Sequence, residues 1–457
     1  MAYTTIDDPE LYFQCKTYTG NGSSGHAITF DGEENMQPDF VWIKNRTQYG
    51  HQLYDVVRGV TKRIFSDTSG AEETDTDALT AFGSNGFTIG SNAGVNQNST
   101  AHVSWNWKAG GDAPAITYVV KVVSDSGNKY RFDDFGTSAV TLDLQEGGTY
   151  TFDQSDSSNA THPLRFYTAS DKSGGEYTTG VTTTGTAGSS GAKTVITVAA
   201  SAPTLYYQCS SHSGMGGQAN TNSTFGSSNF SGSIQSTVSA GSTQGFSVVK
   251  WTGTGSNATI GHGGASAPTF IMTKALGTTS SWWVYHQSIH SSNTDGYLKI
   301  NSNAGTADDA TIWTTTAPTS SVFSIGNAIS AHDYVAYCFA EKTGYCKIGS
   351  YIGNGNANGT FVYTGFKPAF IMIKRTDATG DWGIFDNKRE GYNDETNRLK
   401  PNGNDAEEDD NFMDILSNGF KLRLTSSSIN ASGGTFIYMA FAESPLVNSK
   451  GVPNNAK

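Results

Sequence analysis

Apolar and β-branched residues run along this chain in stretches of four to seven, each broken by Gly, Asn or Pro. Helical periodicity is nearly absent, so the pattern predicts short strands joined by tight turns. Asn-Gly steps supply the positive φ that hairpin turns require. The stretches also recur in order. A Tyr18-Thr19-Gly20-Asn21-Gly22 opening returns as Trp251-Thr252-Gly253-Thr254-Gly255 and as Tyr351-Ile352-Gly353-Asn354-Gly355. Each is followed by a Pro-x-Phe strand ending in Lys: Pro38 to Lys44, Pro268 to Lys274 and Pro368 to Lys374.

An aromatic strand comes next (Gln52-Leu53-Tyr54-Asp55, Trp283-Val284-Tyr285-His286, Trp382-Gly383-Ile384-Phe385-Asp386). Leu298-Lys299-Ile300-Asn301 and Leu399-Lys400-Pro401-Asn402 follow it, with a loose counterpart at Arg63-Ile64-Phe65-Ser66. Then come an acidic loop, a Ser-Asn-Gly-Phe turn at 84–87 and 417–420 (Ser320-Ser321-Val322-Phe323 in the middle copy), and a closing aromatic strand. Repeats of about 100 residues are domain-sized, far larger than solenoid units, so each copy is expected to close its own sandwich. The expected divisions are a first sandwich over 1–111, a second over 245–345, a third over 346–446 and a C-terminal tail over 447–457.

Between the first two copies the signature disappears. Residues 112–217 carry a separate set of seven or eight strands, enough for one small Greek-key sandwich. Residues 218–244 are rich in Ser, Asn, Gly, Thr and Gln and read as a linker, or as an arm wrapping a neighbour. The fold class expected is therefore all-β: three tandem related sandwiches with a fourth inserted.

Composition narrows the function. Aromatics reach 12%, enough to build cores, while only 15% of residues are charged. A net charge of −12 with no Lys/Arg cluster argues against a nucleic-acid partner. Met1 to Asp8 lack a basic-then-apolar signal, and no apolar stretch has membrane-spanning length. The expectation is a protein made in a cytoplasm, with no membrane insertion, assembled into a particle and released by lysis. Four irregularly spaced cysteines make no disulfide scaffold; a Cys338–Cys346 bridge is the one pairing the spacing suggests.

The strongest chemical signal lies in the insert. Cys209-Ser210-Ser211-His212-Ser213-Gly214-Met215 ends a strand, and His162 lies upstream. Two imidazoles, one thiolate and one thioether form the blue-copper donor set, because that trigonal arrangement suits both copper oxidation states. Residues 115–217 resemble a cupredoxin, and His162, Cys209, His212 and Met215 match the four copper ligands of that family. The expected cofactor is copper. Departures are a Ser- and Gly-rich ligand loop and no evident partner-docking patch.

Elsewhere the signals are weaker. The acidic loops, notably 405–414, could hold calcium, but their spacing fits no known loop and a solvated charge run is favoured. Trp282, Trp283, Tyr285 and Trp382 could stack on sugars, though core packing is the commoner use. His262, His286, His290 and His332 lack metal spacing. Phosphate loops, nucleophile elbows and His-Glu-x-x-His are absent, so no enzymatic activity is expected.

The three repeats resemble concanavalin A-like, laminin-G-like sandwiches in virion proteins of tailed phages, especially phages of marine bacteria. The resemblance rests on the Tyr-x-Gly-Asn-Gly, Pro-x-Phe-x-x-x-Lys, Ser-Asn-Gly-Phe and Phe-Ala-Glu elements and covers most of the chain outside 112–244. It implies a tail fibre, head fibre or spike on the virion surface that binds the host or decorates the particle. Its implied partners are other virion proteins and a host glycan or protein receptor, in a homo-oligomer, often a trimer. The alternatives are a copper electron-transfer protein and a polysaccharide-degrading tailspike.

Overall fold

The computed structural model describes residues 3–111, 113–221, 225–291, 294–329, 331–389 and 397–453; Met1, Ala2 and the tail residues 454–457 lie outside it. The architecture is all-β. Each repeat builds one large antiparallel sheet in the same strand order: opening, closing, Pro-x-Phe, aromatic. In the first module these are Phe13–Thr19, Ala101–Trp107, Phe40–Asn45 and Gln52–Asp55. In the second they are Phe246–Thr252, Asp333–Phe339, Phe270–Ala275 and Trp283–His286. In the third they are Cys346–Ile352, Thr435–Pro445, Phe366–Arg375 and Gly383–Asp386.

A smaller sheet covers one face of each: His26–Thr29, Gly86–Ile89 and Leu79–Gly83 in the first module, and Phe361–Tyr363, Gly419–Leu422 and Met413–Leu416 in the third. The second has only Ala258–Gly261 paired with Val322–Ile325, where Ser321 and Val322 stand in place of the Asn-Gly turn that makes the other two hairpins.

The opening motif has a mechanical reason. Tyr18 and Tyr351 donate their hydroxyls to the carbonyls of Val95 (2.7 Å) and Ile429 (2.6 Å) in the one-turn helices Ala93–Asn96 and Ser427–Asn430. A Cβ on Gly20 or Gly353 would sit 2.2 or 2.3 Å from a backbone oxygen of that same turn, so only glycine fits there.

The other face of each large sheet is also buried, and here the structure departs from the expectation of three self-contained sandwiches. Along Phe40–Asn45, Val41 and Ile43 enter the first module's outer core, while Phe40 and Trp42 point the other way into a core shared by all three modules. Phe270 and Met272, and Phe370 and Met372, do the same. Trp107, Phe339 and Phe441 occupy equivalent closing-strand positions and form a triangle of ring centroids 6.0, 5.6 and 5.7 Å apart. The single chain thus closes a pseudo-threefold ring around an aromatic axis.

The seams repeat around that ring. Backbone bonds run from Glu72 to Leu276, Thr306 to Thr376 and Glu407 to Arg46, each 2.8 Å. The acceptor in each case lies two residues beyond the motif lysine. This places Ile64-Phe65-Ser66-Asp67, one residue later than the loose match, as the first module's equivalent of Leu298 to Asn301 and Leu399 to Asn402. Trp282 and Trp382 are buried and donate to the carbonyls of Phe65 and Lys299 in the preceding module, 2.8 and 3.0 Å away, so they are seam residues and not exposed sugar platforms. Tyr285 is buried as well, and Trp283 lies under the Lys299 ammonium.

Lys44, Lys274 and Lys374 are all fully buried. Lys274 donates to Ser69 O (3.3 Å) and Lys374 to Asn303 O (3.2 Å), each across a seam. Burial lowers all three lysines to about 8. Between pH 8 and 10.5 the unfolded chain therefore binds more protons than the folded one, and stability rises with pH. Cys15, Cys338 and Cys346 oppose this above pH 9, because burial raises them and only the unfolded thiols ionise. Buried tyrosines such as Tyr150 and Tyr285, raised to about 12, oppose it above pH 10. Urea midpoints under reducing conditions are expected to rise from pH 8 to 9, by about 1 kcal/mol per lysine less roughly a third as much per thiol, and to fall above about 10. Lys274→Met should shrink the rise by about half; a midpoint that falls steadily from pH 8 would contradict this. All four cysteines are free and buried, so the suggested Cys338–Cys346 bridge is not formed.

The insert folds as two sheets. One has the order Asn128–Phe132, Ala115–Ser124, Thr149–Asp153, Lys193–Thr197, Val181–Thr184; the other has Leu142–Asp143, Gln218–Asn220, Leu205–Cys209, Leu164–Tyr167. Two pairings are parallel, Ala115–Ser124 with Thr149–Asp153 and Leu142–Asp143 with Gln218–Asn220. The described residues of segment 218–244 are structured and not a loose linker. Gln218–Asn220 completes the insert, while Ser227–Asn229 and Ser236–Gly241 extend the second module's large sheet. Phe230 packs into the insert's core, and Thr237 Oγ1 donates to Asp143 (2.5 Å).

Candidate metal centre

His162, Cys209 and His212 converge at the end of the insert remote from the frame. Ala115 leaves the frame junction, the strand runs away over ten residues to Ser124, and Asn128, just past the turn, lies 3.5 Å from His162 Nε2. Cys209 ends its strand in register with Leu164, which brings His162 beside the returning loop. His162 is set by its own backbone: its carbonyl accepts from the Tyr130 hydroxyl (2.8 Å) and from Gln154 Nε2 (2.9 Å). The loop closes tightly, since a Cβ on Gly216 would lie 1.6 Å from Tyr207 O.

The donor atoms form a triangle. His162 Nδ1 and His212 Nδ1 are 3.1 Å apart, and Cys209 Sγ is 3.5 Å from His212 Nδ1 and 3.8 Å from His162 Nδ1. A point equidistant from all three lies about 2.0 Å from each, close to the roughly 2.0–2.3 Å of metal–imidazole and metal–thiolate bonds. Two facing Nδ1 atoms can share only one proton, whereas a cation satisfies both lone pairs and a thiolate at once. Cys209 and His162 are buried and His212 is exposed. Burial and the neighbouring His212 imidazole lower the His162 pKa, which favours the neutral, ligating ring. Met215 is 1% exposed in the same core as Cys209, its N–H held by Gln208 Oε1 at 3.1 Å.

Lys172 was not legible as part of this site. Its ammonium reaches three carbonyls of the ligand loop, and no sequence motif links it to a cysteine 37 residues away.

The other expected sites resolve into structure. The acidic loops face arginines and lysines: Glu407 pairs with Arg46 (2.6 Å) and Arg389 (2.7 Å), Glu408 with Arg398 and Lys400, and Glu72 with Arg58 (3.1 Å). Those carboxylates are already neutralised, which leaves them poorly suited to calcium. His262 and His290 each sit beside a backbone carbonyl, of Thr319 (3.1 Å) and Thr314 (2.8 Å). His286 is buried and accepts from Ser288 N (3.0 Å), and His332 is exposed. Among the described residues no helix is long and apolar enough to cross a membrane.

The sequence pattern of the family described as "Domain of unknown function (DUF7483)" matches residues 8–138 and 217–445, most of the chain. The chain belongs to the DUF7483 family. No curated protein and no solved structure matches it. The DUF7483 match takes in all three frame modules but omits 139–216. His162, Cys209, His212 and Met215 all fall in that gap, so the metal centre belongs to the insert and not to the matched pattern.

Proposed function

We propose that this chain is a tailed-phage virion structural protein, a rigid component of a tail fibre, head fibre or spike that acts by binding and presents a metal-holding module. The observation that carries the reading is the shared aromatic axis: three modules are fused through one core, and each large sheet is buried on both faces. Its most deeply buried carboxylates, Asp55 and Asp386, are sealed at 0% side-chain exposure and locked by the guanidiniums of Arg58 and Arg389, so neither can meet a sugar, which disfavours the polysaccharide-degrading reading. The threefold arrangement that fibres build from three chains has a counterpart here within one. Partners in this reading are other virion proteins and a host-surface receptor. Immunogold labelling of purified particles tests it: the protein should decorate the particle surface, and its absence from particles would overturn the assignment.

The donor triangle favours a second statement, that the insert binds copper in the manner of a cupredoxin. Its two parallel strand pairings and its His162, Cys209, His212 set support that likeness, and Met215 is the fourth residue of the matching pattern. When bound, copper supplies a one-electron couple. The rim of Ser210, Ser211, Ser213 and Gly214 is exposed and carries no apolar side chain, and the lysines beside it, Lys129 and Lys172, are engaged with the loop's own carbonyls, so holding the metal is favoured over relaying electrons. One equivalent of Cu(II) is expected to give an intense visible thiolate-to-metal band that Cys209→Ser abolishes without changing circular dichroism. A colourless wild-type protein retaining no copper on metal analysis would remove the reading.

A further inference from the structure

We propose that Lys172 is the positioning residue of the metal loop: its ammonium folds the Cys209–His212 turn so that the imidazole meets the sulfur. The proposal rests on the copper reading for its ligand but not for its geometry.

Lys172 Nζ lies 3.2 Å from Cys209 O, 3.3 Å from Ser210 O and 3.4 Å from His212 O. An ammonium carries three protons and no acceptor, so it can serve all three carbonyls. Carbonyls from a residue, the next and the third after it turn toward one point only when the chain curls tightly. That curl places His212 Nδ1 3.5 Å from Cys209 Sγ. Without the cation, three carbonyl dipoles would face one another unneutralised.

The lysine is itself held. It sits at φ +68 in a turn closed by Lys172 N to Ala169 O (3.0 Å) and Gly175 N to Lys172 O (3.1 Å), and its ammonium lies 5.9 Å from the Tyr167 ring centroid. The far side of the ligand loop is pinned by the opposite chemistry: Gln208 Oε1 accepts from Met215 N (3.1 Å) and Gly216 N (3.2 Å). A cation gathers the carbonyls and an amide oxygen gathers the N–H groups.

The test compares full-length wild type, Lys172→Met and Lys172→Arg. In metal-free protein, the rate at which an aromatic disulfide reagent modifies Cys209 is measured, with Cys209→Ser subtracting the other thiols. The methionine variant is expected to react about tenfold faster and to lose Cu(II) on dialysis about tenfold faster, with a weakened and shifted visible band, while arginine restores all three. A purely structural role elsewhere would not move the band or be rescued by arginine. Methionine behaviour equal to wild type in thiol rate and spectrum would overturn the proposal. If wild type takes up no copper, the copper reading fails and the thiol rates alone decide for or against Lys172. Should the methionine variant precipitate, Lys172→Gln is measured in the same way.

Discussion

Truncating Trp107 to alanine is expected to destabilise the frame by about 3–5 kcal/mol, the usual cost of emptying a fully packed aromatic site. Trp107 is 1% exposed, and its ring lies 5.0 and 5.2 Å from Phe13 and Phe40 of its own module. It lies 6.0 Å from Phe339 of the second module and 5.5 and 5.6 Å from Phe370 and Phe441 of the third. Its indole nitrogen has no hydrogen-bond partner, so the loss is one of packing alone. Because rings from every module close on this one, the cavity cannot be confined to a single sandwich. Urea unfolding followed by circular dichroism should therefore show one transition moved to a lower midpoint with an unchanged slope. A loss below about 1 kcal/mol would mean that the three sheets do not depend on the axis they surround.

That axis was half visible in the sequence. The runs Phe40 to Ile43, Phe270 to Met272 and Phe370 to Ile373 mark strands correctly, but a sheet with one wet face alternates apolar and polar residues, and these do not. Unbroken runs meant burial on both faces. The repeat signature located the strands without revealing that the modules share a core, because side chains that fill a common axis look in sequence like those of a self-contained one, and many seam bonds end on main-chain carbonyls. Lys274 and Lys374 end their strands in the motif, yet each donates to a carbonyl, of Ser69 or Asn303, in another repeat. A carbonyl is the same whichever residue carries it, so no pattern of side chains announces it.

The same physics separates the legible part of the metal site from the rest. His162, Cys209 and His212 act through side-chain atoms whose chemistry is specific to their residue types, and the structure brings these atoms together. Lys172 acts on three backbone oxygens and is silent in sequence. Composition misled in one place. Ser236–Gly241 reads as linker, but a strand needs only its backbone to pair with Ser227–Asn229 on one side and Phe246–Thr252 on the other, and serine hydroxyls can serve a junction as well as solvent. Ser227 Oγ, for instance, meets the Tyr150 hydroxyl at 2.7 Å.

Replacing residues 112–225 with a short glycine linker is expected to leave the frame folded and to abolish copper binding completely. One side chain shows why the ends can be joined. Gln145 Nε2 donates to Gly111 O (2.8 Å), and Gly226 N donates to Gln145 Oε1 (2.8 Å). A single carboxamide thus spans both ends of the insert, so Gly111 and Gly226 are separated by no more than about 8 Å, a gap that two or three residues cover. Gln244 independently ties the two flanking segments, donating to Lys108 O (2.8 Å) and Ala109 O (2.7 Å). The DUF7483 match, which resumes at 217 after stopping at 138, is consistent with a frame pattern that does not need the insert's middle. The excision does expose Phe230, now 5% exposed, and removes the partners of Ser227, Ser228 and Thr237, so a cost of about 1–3 kcal/mol is expected. Thermal melts by circular dichroism and copper stoichiometry check both halves. An unfolded remainder would show that the insert helps to hold the ring closed; a folded one that still retained copper would place the metal somewhere other than the triangle of His162, Cys209 and His212.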